Sequence, residues 1–170
     1  MILTDHTRLG LVLLLVICLL SSSFVRAQDR YNPQYLTFLD TSKGPQLLRQ
    51  CSREAPTNVK GFWVVGEPER ALLQRKFKRL LTKLSRQYDV EPVFSTFQGY
   101  CVQCVGVIIH HKKFIYISGF RMREDYLKDE DLKNWQTEPI VLCDGGDSVW
   151  GALFNIRSNS FSQLEFSGIG

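Results

Sequence analysis

Two β-rich runs, Tyr100–Ile109 and Phe114–Phe120, are separated only by His110, His111, Lys112 and Lys113. Both runs are dense in Val, Ile, Tyr and Phe, and the polar residues between them read as the turn of a β-hairpin. Side chains alternate sides along a strand, so runs this apolar put hydrophobic groups on both faces. Such a hairpin cannot lie bare. It needs central placement in a sheet and a cover on at least one side.

A cover is encoded upstream. Gly61–Val65 is a short β run, broken by Gly66, Glu67 and Pro68. Pro68 suits a first helical position, where its missing N–H is not needed. From Glu69 to Tyr88 the apolar residues Leu73, Phe77, Leu80, Leu84 and Tyr88 recur at steps of three and four, one stripe of an amphipathic helix. Downstream, Val93–Phe97 is short and apolar, and Pro139–Cys143, Val149–Ile156 and Phe161–Phe166 read as further strands. Asp144-Gly145-Gly146-Asp147 and Arg157-Ser158-Asn159-Ser160 supply turns. This order predicts an α+β fold: one long amphipathic helix packed on a curved antiparallel sheet of about five strands, a two-layer arrangement of cystatin-like or NTF2-like kind.

The expected organisation is a signal peptide over 1–27, an irregular segment over 28–60 and a single α+β domain over 61–170. Leu9–Leu20 is one apolar block, followed by Val25 and Ala27 at the −3 and −1 positions of a cleavage site after Ala27. A block of that length spans about 18 Å as a helix, short of the ~30 Å hydrocarbon core. The expectation is a secreted or periplasmic protein with no membrane span after cleavage. Apolar residues at 44% and charged residues at 22% are globular values and exclude intrinsic disorder. A net charge of +4 is too small to imply nucleic acid, and no sequence-specific nucleic-acid motif occurs.

Cys51, Cys101, Cys104 and Cys143 remain after cleavage. On an exported chain they are disulfide candidates, and four cysteines allow three pairings. The Cys101-Val102-Gln103-Cys104 spacing raises a thiol-redox reading. Redox-active pairs of that kind sit at a helix N-terminus, where the dipole lowers the thiol pKa, whereas this pair lies in a strand run. With His110 and His111 the cysteines offer loose zinc ligands, but no second close pair is present. No metal and no cofactor is expected. Motifs of the G-x-S-x-G, H-E-x-x-H and P-loop types are missing from the sequence. Glu91, Asp144, Asp147 and Glu165 leave open only a generic carboxylate pair.

The other face of the predicted helix is basic: Arg70, Arg75, Lys76, Lys78, Arg79, Lys83 and Arg86 stand against Glu69 alone. Arg75, Lys76, Arg79 and Lys83 are candidate binding residues for an anionic surface or an acidic protein. The competing reading is a solvated face balanced by the acidic stretch Glu124–Asp131. Asp144, Asp147 and Trp150 are further binding candidates, on a Gly-rich loop. The function expected is an exported non-catalytic binding module, an inhibitor or adaptor. The alternative is a small exported thiol-redox or hydrolytic enzyme using Cys101 and Cys104 or a carboxylate pair.

The C-terminal stretch carries Asp144-Gly145-Gly146, then Trp150-Gly151, then Phe161, Leu164, Phe166 and Gly168. It resembles the ending of small bacterial exported proteins with a DGG turn, an aromatic-Gly pair and a closing hairpin. The resemblance covers the C-terminal part only and implies export and a hairpin. It implies no activity.

Overall fold

The computed structural model describes residues 36–51, 53–88, 100–121 and 129–168. Its centre is the hairpin of β3, Tyr100–Ile109, and β4, Lys112–Arg121. The ladder is unbroken from Tyr100 opposite Arg121 to Ile109 opposite Lys112. His110 and His111 alone make the turn, with φ of 47° and 61°. Two successive positive φ values are those of a type I′ turn, whose twist matches that of the strands it joins. Lys112 and Lys113 therefore belong to β4 and not to the turn.

On the far side of β4, β5 (Val149–Asn155) pairs antiparallel, and β6 (Ser160–Phe166) pairs with β5. On the near side, two short strands share one edge of β3. β1, Leu36–Phe38, runs parallel to Val102–Cys104, and β2, Val59–Trp63, runs antiparallel to Gly106–Ile109. Three α-helices are described: α1 (Gly44–Leu47), α2 (Glu67–Tyr88) and α3 (Asp129–Asn134).

The α+β composition stands, but the expected architecture is corrected. The sheet has six strands and is mixed, because β1 enters parallel to β3. The sheet dominates, and α2 is one of three described helices rather than the single partner of a two-layer fold. The cystatin-like or NTF2-like antiparallel arrangement of five strands does not describe it. Among the described residues both faces of the central strands β3, β4 and β5 are buried, so the sheet lies between two covers. The expected boundary at residue 60 falls inside β2. The segment before it supplies β1, the first two residues of β2 and half of one cover.

One face carries Val102, Cys104, Ile115, Ile117, Trp150, Ala152 and Phe154, all buried. Leu73, Phe77 and Leu80 of α2 are fully buried, and the Phe77 ring lies 6.1 Å from that of Trp150. Two indoles need glycines opposite them. Trp150 lies where a Cβ at Gly119 would be, and Trp63 lies over Gly106. The Trp63 Nε1–H donates to the Phe114 carbonyl at 3.0 Å.

The opposite face carries Cys101, Gln103, Val105, Val107, Tyr116, Ser118 and Phe120. Its cover is mostly irregular chain. Leu39, Leu47 and Leu48 pack on Val105, Val107, Tyr116 and Leu153, while Trp135, Ile140 and Leu142 pack on Cys101, Phe120 and Val149. The two halves of this cover are joined by a Cys51–Cys143 disulfide. Pro139–Cys143 is not a strand: the Ile140 N–H donates to the Gln103 side-chain oxygen at 2.8 Å instead of entering a ladder.

Residues 1–27 and Val93–Phe97 lie outside the described residues. Among those described, no helix is long and apolar enough to cross a membrane.

Candidate functional site

A groove of about 620 Å³ runs between the second half of α2 and the β5–β6 turn. Arg79, Leu80, Thr82 and Arg86 line it from the helix, and Ser158, Asn159, Ser160 and Phe161 line it from the turn. Arg79 and Arg86 are exposed, and neither forms an ion pair among the described residues. They stand seven residues apart, about 10 Å along the helix axis at ~1.5 Å per residue.

The turn opposite is locally determined. The Asn155 side-chain oxygen accepts from the N–H groups of Arg157 and Ser158, at 2.9 and 3.2 Å. Asn159 takes a φ of 52°, a left-handed conformation that Asn tolerates. The Ser158 and Ser160 hydroxyls lie 2.7 Å apart. Phe161 packs on Phe154 with ring centroids 4.8 Å apart, which fixes its ring beside the groove.

The structure separates the expected binding residues into three places. Arg75 is exposed and Lys76 half-buried on α2, on the same helix as the groove. The Lys83 and Asp147 side chains lie outside what is described. Asp144 is exposed with a φ of 61°, in the loop that precedes β5. That loop is tied to the chain end by a Gly146 N–H to Gly168 carbonyl bond of 3.2 Å. It lies at the opposite end of β5 from the groove, about 20 Å away over seven residues. Trp150 is fully buried under Phe77 and is part of the core, not a surface that a partner could reach.

Of the four cysteines, Cys51 and Cys143 are bonded, and Cys101 and Cys104 are free and buried. The two free thiols point to opposite faces of the sheet. Burial pushes the Cys101 thiol up to about 12. Burial also raises Cys104, against a smaller opposing effect from Arg70. Both hold their protons at neutral pH, so neither offers the thiolate that disulfide exchange requires. Among the described residues no group of three His, Cys, Asp or Glu side chains comes close enough to hold a metal ion.

Two buried polar side chains went unnoticed in the sequence. Gln103 donates to the Trp135 and Glu138 carbonyls. Arg53, only 8% exposed, donates to the Tyr116 and Ser118 hydroxyls at 2.9 Å each, and lies where a Cβ at Gly151 would be. Burial lowers the Arg53 pKa and raises that of Tyr116. Gln103 stands opposite Ser118 across the sheet, a polar pair that appears once register is known, whereas Arg53 lies in no strand.

A smaller cavity of about 260 Å³ lies near the start of α2, lined by Phe38, Asp40, Val65 and Arg70 among others. Its cation is already engaged: Arg70 stacks 4.8 Å from the Phe38 ring and donates to the Val65 carbonyl. No protein-family profile, curated protein or solved structure matches this chain.

Proposed function

We propose that the protein is an exported, non-catalytic binding module that docks an anionic partner through the basic face of α2. The observation that carries this reading is the state of Arg79 and Arg86. Both are exposed, unpaired among the described residues, and aimed along one side of a concave surface. Cations held in such a row raise the local concentration of anions and recognise them bidentately. The Cys51–Cys143 bond is consistent with an oxidising compartment, as is the Leu9–Ala27 signal pattern. The resemblance of the C-terminal hairpin to small exported bacterial proteins supports the same location.

The test is a variant carrying Arg75→Gln, Lys76→Gln, Arg79→Gln and Lys83→Gln. Retention on an immobilised polyanion should be lost, and retention of the unaltered protein should fall steeply with salt, because exposed charges are screened beyond about 8–10 Å. Thermal melting of the variant should be unchanged. Retention equal to that of the unaltered protein would refute the docking face.

A further inference from the structure

The groove beside α2 is more specific than a basic face. Its two arginines stand on one wall, and three hydroxyl- or amide-bearing residues stand on the other beside the half-buried Phe161. We infer that this groove binds a strand of anionic glycan bearing sulfate or carboxylate groups. The inference rests on the docking reading and deepens it.

The argument is one of matching chemistry. Guanidinium groups present a planar fork that fits sulfate and carboxylate oxygens, and are more weakly hydrated than ammonium groups. Two of them about two helical turns apart suit anionic groups repeated along an extended chain. Ser158, Asn159 and Ser160 are exposed and supply both donors and acceptors, the complement of sugar hydroxyls. Phe161, half-buried, leaves an apolar edge against which the C–H face of a sugar ring can rest. The volume, about 620 Å³, lies in the ~300–1,000 Å³ range of sites for organic ligands.

Other polyanions fit less well. A lipid surface is planar and would meet the outer arginines without entering a groove. Single-stranded nucleic acid binds by stacking bases on open aromatic rings. Here Phe161 is half-buried and packed on Phe154.

The experiment uses the full mature chain and isothermal titration with a heparin-derived hexasaccharide. Its fully desulfated, N-acetylated form and phosphatidylglycerol vesicles serve as comparison probes. Two single variants are tested. Arg86→Gln removes one groove charge. Ser160→Tyr fills the groove, removes no charge and places a strand-favouring residue at an exposed strand position.

The sulfated hexasaccharide should bind about tenfold or more tighter than the desulfated form, the scale of one charge-assisted contact. Arg86→Gln and Ser160→Tyr should each weaken it by about tenfold, with melting temperatures unchanged. Vesicle binding should be indifferent to Ser160→Tyr. Unaltered hexasaccharide affinity in Ser160→Tyr would overturn the groove and leave the basic face standing. Binding to vesicles but not to the hexasaccharide would do the same. Binding to neither would overturn both readings.

Discussion

The two faces of the sheet are closed by different means. On one, α2 lays Leu73, Phe77 and Leu80 onto Trp150 and its apolar neighbours. The fit comes from shape, with glycines at 106 and 119 making room for two indoles. On the other, irregular chain from two distant parts of the sequence lies over a face that includes Gln103, Tyr116 and Ser118. An irregular segment leaves its own N–H and C=O groups unpaired, and buried groups of that kind need partners. Gln103 bonds the backbone at residues 135, 138 and 140, Arg53 reaches from the cover to the Tyr116 and Ser118 hydroxyls, and the Cys51–Cys143 bond joins the two halves. A helix satisfies its backbone internally and needs only a hydrophobic stripe. A cover without that periodicity needs pegs and a clasp.

The sharpest way to break this comparison is to open the clasp. The disulfide closes a loop with a sequence separation of 92. Loop entropy then gives a loss of about 4–5 kcal/mol for Cys51→Ser with Cys143→Ser. Denaturant melts measure the loss. In the same variant, native-state alkylation of Cys101 should accelerate more than that of Cys104, because only Cys101 lies under the released cover. Equal acceleration would show that the faces do not open separately.

Each cover can next be weakened from within. Leu80→Ala should cost ~2–5 kcal/mol, the range for a fully buried leucine. Gln103→Leu should cost about 1–3 kcal/mol, since it strands buried backbone groups at residues 135, 138 and 140. Hydrogen exchange should place the first opening across the sheet under α2 and the second in the 135–143 strip. A Gln103→Leu variant as stable as the unaltered protein would reduce the peg to a bystander.

The remaining effect is alkaline. Cys101 is raised from 9.0 to about 12, so the folded state keeps a proton that the unfolded state loses. Its contribution is fully present below pH 9.0 and is lost as pH rises through about 12. Stability measured by denaturant melts should fall across that window, and Cys101→Ala should shallow the fall.

Much of the helix-covered side could be read beforehand, because its signals are local. The three- and four-residue spacing of Leu73, Phe77 and Leu80 marks one stripe, and these residues are buried. The hairpin centred on His110 and His111 is also local, although its turn is tighter than four residues because both histidines accept positive φ. The other side was hidden because its contacts join residues far apart. β1 is three residues long and pairs with a strand more than sixty residues later. Pro139–Cys143 has strand composition, but its apolar residues serve burial and its amide at 140 is taken by a side chain. From sequence alone Trp150 is a binding candidate in a Gly-rich motif. Only the register opposite Gly119 shows why it turns inward. The groove had half of its signal in the basic helix face, and its other wall appears only when the β5–β6 turn is brought beside α2.

The clasp also decides how the molecule tolerates a protease. Residues 51 to 143 form one covalent ring that contains β2, α2, β3, β4 and α3. A single cut anywhere within that ring leaves every fragment tethered, so the chain still migrates as one species without reductant. A cut in the turn at 156–159 lies outside the ring and lets β6 separate, taking Ser160 and Phe161 with it. The covalent topology thus keeps the sheet's centre tethered after a nick, while the strand that completes the groove is held by non-covalent contacts, its pairing with β5 and the packing of Phe161 on Phe154.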